Sequence, residues 1–268
     1  MTQEKWLVNG PKTIDIGTIS KLKVSMIGGK VDIVGHDEPG ARVEIHSVSG
    51  KELKVSVDGD VLEIDHPQLG WDNFLEVLSS FRGTASADVS IMVPRKIALT
   101  LGVVSASALV SGIASDATVS TVNGDVVIDG LTGSLQINGV NGELAVSNHS
   151  GRVSARTVSG DITASGDISV LTADTVSGEV FSDITGIPDE IRINTVGGAV
   201  TTRLAPGVPA QYRINTVGGK LHLDNSEIKG VHGTYNGKYG ELDQHWLDFK
   251  ANTVTGNINV LHADSVSA

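Results

Sequence analysis

Residues 156–162 read Arg156-Thr157-Val158-Ser159-Gly160-Asp161-Ile162, and residues 174–180 read Asp174-Thr175-Val176-Ser177-Gly178-Glu179-Val180. Five more segments align on the same glycine, at Gly124, Gly142, Gly198, Gly219 and Gly256. The steps between the seven glycines are 18, 18, 18, 20, 21 and 37 residues. Weaker half-repeats fall at Gly133 and Gly151, and degenerate copies around Gly29 and Gly50 precede the run. Self-similarity at a short fixed period marks an architecture built from one supersecondary unit.

Each repeat position has a legible chemistry. Two residues before the glycine stands Val122, Val140, Val158, Val176, Val196, Val217 or Val254. A β-branched residue at one offset in every copy predicts an inward ladder. The residue before it is Thr in six of the seven, with Gly139 the exception. The small residues around the glycine are turn formers, and glycine permits positive φ. After the turn apolar residues alternate, as in Val126/Ile128, Leu144/Val146, Val153/Ala155, Ile162/Ala164, Leu221/Leu223 and Ile258/Val260. That period of two is a half-buried strand.

The predicted fold class is all-β: a single-chain β-solenoid, β-helix-like, with coils of about 18 residues and two non-repeat inserts. The organisation read from the chain is one repeat domain over 1–268. Its parts are N-terminal strands with degenerate repeats (1–65), an insert (66–88), the regular repeats (89–223), an aromatic insert (224–250) and a final coil (251–268). In the first insert Trp71, Phe74, Leu78 and Phe81 recur at helical spacing, which predicts a short amphipathic helix. The second insert carries Tyr235, Tyr239, Trp246 and Phe249 and reads as a loop or hairpin. The two inserts hold most of the chain's 3 Trp, 3 Tyr and 4 Phe. They either cap the repeats or form a contact surface, for which Trp71, Phe74, Phe81, Tyr235, Tyr239 and Trp246 are the candidates.

The copies Thr-Val-Asn-Gly-Asp-Val, Thr-Val-Ser-Gly-Asp-Ile and Asn-Thr-Val-Gly-Gly resemble the bacterial putative-adhesin family of β-strand-repeat proteins. So does Val55-Ser-Val-Asp-Gly59-Asp-Val-Leu-Glu-Ile64, followed by Val93-Pro94. The resemblance covers nearly the whole chain. It implies a repeat fold without a catalytic motif, and its name implies surface adhesion. Some relatives are linked to envelope-stress responses.

Chemistry-bearing motifs are sparse. The chain has no Cys, which excludes disulfides, Cys-ligated zinc and iron–sulfur clusters. Asp125, Glu143, Asp161 and Glu179 share one repeat position. That position also holds Ala199, Lys220 and Asn257, so solvated acids past a turn are expected rather than a calcium site. The 8 His are scattered, and no pair has metal-ligand spacing. His222/Asp224 and His262/Asp264 each lie two residues apart. Gly28-Gly-Lys30 and Gly218-Gly-Lys220 are repeat turns without the phosphate-loop pattern, and no Gly-x-Ser-x-Gly elbow occurs. No enzyme activity, metal or cofactor is expected.

Net charge is −11, from 31 acidic and 20 basic residues, and the basic clusters are too short to track phosphates. Nucleic acid is not an expected partner. The N-terminus lacks an apolar signal core and no stretch is long enough to span a bilayer as a helix, so the expected address is cytoplasmic. The function expected is a non-catalytic scaffold that presents its aromatic inserts to an unknown protein partner, in envelope homeostasis. The alternatives are a self-assembling structural protein, hence a homo-oligomer, and a glycan-binding adhesin if the chain is exported.

Overall fold

A computed structural model describes residues 4–66, 85–224, 226–228 and 233–264. The chain is all-β, and no helix occurs among the described residues. The helix expected within 66–88 lies almost wholly outside them, as do Trp71, Phe74 and Phe81. The chain divides into two compact units, Met1–Ser134 and Leu135–Ala268.

In the first unit the longest strand, β3, is also the most enclosed. The strands are β1 (Glu4–Val8), β2 (Lys12–Ile16), β3 (Lys21–His36), β4 (Ala41–Ser49), β5 (Leu53–Asp58), β6 (Val61–Asp65), β7 (Ser86–Pro94), β8 (Ala98–Ser111), β9 (Ala117–Thr121) and β10 (Val126–Asp129). One side of β3 pairs in parallel with β8. The other side pairs in parallel with β6 and then with β7. Alternate residues of a strand share one face, and the inward face of β3 is apolar. Leu22, Val24, Met26, Val31 and Ile33 of β3 are accordingly fully buried. Beyond β6 and β7 the pairing turns antiparallel, with β5 on β6 and β1 on β5. Likewise β4 lies on β7 and β2 on β4.

The second unit repeats one strand pattern. Its strands are β12 (Leu144–Arg156), β13 (Ile162–Asp174), β14 (Val180–Ile184), β15 (Glu190–Asn194), β16 (Val200–Leu204), β17 (Ala210–Thr216), β18 (Leu221–Leu223), β19 (Ser226–Ile228), β20 (Gly233–Tyr239), β21 (Leu247–Thr253) and β22 (Ile258–His262). Between them, β11 (Thr132–Asn138) contains the division of the chain. Successive repeats pair in parallel with equivalent residues opposite each other: Leu144 faces Ile162, Ile162 faces Val180, and Val180 faces Val200. The alternating apolar residues named from the sequence are all buried.

Spatial order departs from chain order at the C-terminal end. Strand β21 pairs with β15 on one side and β17 on the other, both parallel. Strand β22 lies in the same way between β16 and β18. The last repeat is therefore intercalated between two repeats that precede it and is not a final coil at the end of the stack. Within the second insert β19 pairs antiparallel with β18, and β20 pairs antiparallel with β17. Residues 247–250 of that insert belong instead to β21. The burial pattern explains the arrangement. Leu247, Phe249 and Ala251 alternate and are fully or almost fully buried, as an interior strand requires. Strand β20, Gly-Thr-Tyr-Asn-Gly-Lys-Tyr, has no buried residue and takes the outer position. Phe249 packs edge-on against Tyr212 of β17, ring centroids 5.9 Å apart.

The repeat turn reverses one expectation. The threonines face inward: Thr157, Thr175, Thr195, Thr216 and Thr253 are buried. Each Thr Oγ1 accepts a hydrogen bond from the N–H of the glycine three residues on, at 2.8–3.1 Å. The valines face outward: Val158, Val176, Val196, Val254 and Val217 are 43–66% exposed. Only Val122, in the first unit, is buried at this offset, while Val140 is half-buried. Both residue types are β-branched, and hydropathy alone assigns the wrong one to the interior. What decides is the turn's donor, which would be a buried orphan without the hydroxyl.

The aligned glycines also serve a different purpose from the one expected. Gly142 alone of the seven has positive φ. The others are needed because backbones approach closely. A Cβ on Gly178 would lie 1.9 Å from the carbonyl oxygen of Gly160, and one on Gly198 would lie 1.8 Å from that of Gly178.

Candidate functional site

The turns of the second unit carry a regular outward surface. Hydrogen bonds join successive turns: Ser177 N to Val158 O (3.1 Å), Gly197 N to Val176 O (3.0 Å), Thr255 N to Val196 O (3.0 Å) and Gly218 N to Val254 O (2.8 Å). They line up Val158, Val176, Val196, Val254 and Val217 in that order. The spacing is one strand separation, about 4.8 Å. The result is an aliphatic ridge that the folded core does not use.

Beside the ridge runs a ladder of side-chain amides. Thr234 Oγ1 donates to Asn215 Oδ1 at 2.7 Å, and Asn215 Nδ2 donates to Asn252 Oδ1 at 2.6 Å. Asn252 Nδ2 donates to Asn194 Oδ1 at 2.7 Å, and Asn194 Nδ2 donates to Asp174 Oδ1 at 2.6 Å. The other oxygen of Asp174 accepts from Arg156 Nε at 3.2 Å. Between ladder and ridge lies a groove of about 330 Å³, floored by Thr195, Thr253 and Thr216.

One register step along the same strands, charges replace amides. Lys250 bridges Glu190 (2.8 Å) and Asp248 (2.7 Å). Arg192 meets Glu190 at 2.7 Å, and Arg213 reaches both oxygens of Asp248 at 2.6 and 2.8 Å. Hydrogen bonds from Lys250 and Arg192 hold the Glu190 carboxyl below the usual range. Partial burial pushes Asp248 up, but its bonds from Arg213 and Lys250 outweigh this and leave it lowered. The network is a clasp on the intercalated β21, in which three cations share two carboxylates.

The two His-x-Asp pairs do not act within their own strands. Instead His262 Nδ1 meets Asp224 Oδ1 at 2.9 Å across the β18–β22 pairing. His262 Nε2 is 3.0 Å from the Val208 carbonyl oxygen, and its ring stacks on Tyr239 at 3.7 Å. The His262 side chain is 5% exposed. With both ring nitrogens engaged, the cluster ties four segments together and offers no free base. The acids expected to be solvated are exposed, and Asp161 Oδ1 accepts from Glu179 N at 2.8 Å. Among the described residues no group of three His, Asp or Glu is placed to hold a metal ion.

Residues 19–261 match the profile of the family described as Toastrack DUF4097. The chain belongs to that family. This agrees with the resemblance carried by the Thr-Val-x-Gly repeats. No curated protein matches the sequence. Among solved structures, the chain is similar to a putative adhesin from Bacteroides fragilis NCTC 9343, with 10% identity, 94% of this chain and 97% of that one covered, and a TM-score of 0.45. It is similar to a putative lipid binding protein from Parabacteroides distasonis ATCC 8503, with 12% identity, 95% and 97% covered, and a TM-score of 0.48. It is also similar to a putative cell adhesion protein from Clostridium sporogenes ATCC 15579, with 17% identity, 94% and 100% covered, and a TM-score of 0.30.

Of the aromatic candidates, Tyr235, Tyr239 and Trp246 fall among the described residues. Tyr235 and Tyr239 are half-buried on β20, and Tyr239 is occupied by His262. Trp246, just before β21, is 36% exposed. The structure brings together the valine ridge and the amide ladder, a surface that the aromatic candidates do not include. The signal was present in the repeated Asn194, Asn215 and Asn252, each one residue before Thr-Val.

Proposed function

We propose that the chain is a non-catalytic single-chain β-solenoid that binds a macromolecular partner through the outward turns of its second unit. One observation carries this: the ridge Val158, Val176, Val196, Val254 and Val217 is exposed in register. A buried ladder of that kind would be explained by packing, whereas an exposed one contributes nothing to the core. Rigid repeats that display a periodic surface suit extended contacts. Trp246 adds one exposed aromatic anchor of the type enriched at binding hot spots.

The reading has no enzymatic step, no cofactor and no nucleic acid. A protein partner in envelope homeostasis and a cytoplasmic address are its default form. A crosslinked pull-down from soluble and membrane fractions, with wild type and Val176→Lys/Val196→Lys, tests it. Capture of a partner by wild type but not by the folded variant supports the reading. Equal capture by both contradicts it. Recovery of the protein alone, in multimers, transfers the reading to self-assembly.

A further inference from the structure

The groove between the amide ladder and the valine ridge is built for a ligand polar along one edge and apolar on its face. Asn194, Asn252 and Asn215 each spend one N–H and one oxygen lone pair within the ladder. A primary amide has two of each, so every rung keeps one donor and one acceptor side by side. The opposite wall is Val196, Val254 and Val217, all exposed. The rungs and the valines both repeat once per strand, about 4.8 Å apart.

We infer that this groove binds a neutral glycan, an oligomer of uncharged hexopyranose rings laid across the strands. The inference rests on the part of the reading above that makes the outward turns a binding surface, and it puts a glycan in the place of the protein partner. Adjacent sugar hydroxyls each donate and accept, which matches a free amide N–H beside a free amide oxygen. The C–H face of the ring packs on the valine wall. A ring with its glycosidic oxygen advances by close to one strand spacing, so successive rings meet successive rungs. An extended peptide instead repeats its side chains on one face about every 6.7 Å, and it falls out of step within a few strands.

Charge points the same way. Among the described residues the one ionisable group lining the groove is Asp174, and its carboxylate is already engaged by Asn194 and Arg156. The nearby cations Arg192, Lys250 and Arg213 lie outside the groove lining, and each contacts Glu190 or Asp248. Among the described residues the groove lining itself carries no cation to hold an anionic polymer and no unengaged acid to hold a cationic one.

The test uses the full chain with β-1,4-linked glucose hexasaccharide and, separately, α-1,4-linked glucose hexasaccharide. Side-chain amide resonances of Asn194, Asn215 and Asn252 report contact, and calorimetry reports affinity. With at least one of the two, those resonances move, and Val254→Lys weakens binding roughly tenfold or more while the melting temperature stays unchanged. Absence of a shift with both sugars at millimolar concentration overturns the inference, as does binding that Val254→Lys leaves intact. Tighter engagement of the same amides by an uncharged extended peptide also overturns it. If both sugars fail but ridge-dependent partner capture persists, the glycan assignment falls and the binding role stands. If capture is ridge-independent as well, both fall.

Discussion

Asn252 donates to Asn194 across 2.7 Å, although 58 residues separate them in the chain. Asn215, 37 residues before Asn252, bonds to its other side at 2.6 Å. The last repeat is thus held between its predecessors, and its removal affects both neighbours. Phe249, fully buried and packed on Tyr212, is the anchor of that position. Phe249→Ala is expected to destabilise the second unit by about 3–5 kcal/mol. Hydrogen exchange under mildly destabilising conditions should show β17 and β21 losing protection together. Loss confined to β21 would mean that the intercalated strand is a dispensable end.

The turn clamp makes a separable prediction. Thr195→Val keeps the shape but leaves the Gly198 N–H without its 3.0 Å acceptor. The cost expected is about 1–3 kcal/mol in chemical denaturation. Gly198→Ala places a methyl group 1.8 Å from the Gly178 carbonyl oxygen, which backbone cannot relieve cheaply. It should cost on the order of 3 kcal/mol or more.

The neighbouring valine behaves in the opposite way. Val196→Ser, at a site 48% exposed, is expected to change stability by less than about 0.5 kcal/mol. An inward valine would lose roughly 1.5–3 kcal/mol on the same change. Equilibrium urea melts of Thr195→Val and Val196→Ser therefore assign the two faces without a further structure.

A buried histidine sets a pH dependence in the first unit. His66 is fully buried, and its Nδ1 accepts from Ile27 N at 3.4 Å. Among the described residues its Nε2 has no hydrogen-bond partner. Burial, with a smaller contribution from the Lys51 charge, lowers its pKa to about 4. The unfolded chain then takes up the proton first, so its stability contribution is complete above about pH 6.5 and falls as pH drops towards 4. The loss is on the order of 3 kcal/mol by pH 4. His66→Leu should flatten that slope in urea melts between pH 7 and 4.5, whatever its effect at pH 7. An unchanged slope would assign the acid sensitivity to other groups.

How much was legible follows from these particulars. Strand periodicity was, because Leu144/Val146 and Ile162/Ala164 alternate and burial follows alternation directly. The facing of Thr and Val was not, because a hydroxyl's value inside depends on a donor that only the turn geometry reveals. The intercalation of β21 was hidden for a different reason. A spacing of 37 residues between Gly219 and Gly256 fits both an outward excursion with a return and a simple end coil. The aromatic insert was read as one piece, yet Phe249 is core and Trp246 is surface, three residues apart. The His262–Asp224 contact joins members of two separate His-x-Asp pairs, and only the strand pairing shows which acid each histidine meets.

The most direct test of the account is partner capture by a protein whose ridge is altered and whose fold is not. Val176→Lys/Val196→Lys should melt with the wild-type midpoint and recover none of the partner that wild type recovers. A folded double variant that captures its partner at the wild-type level would contradict the assignment of the exposed valines to binding.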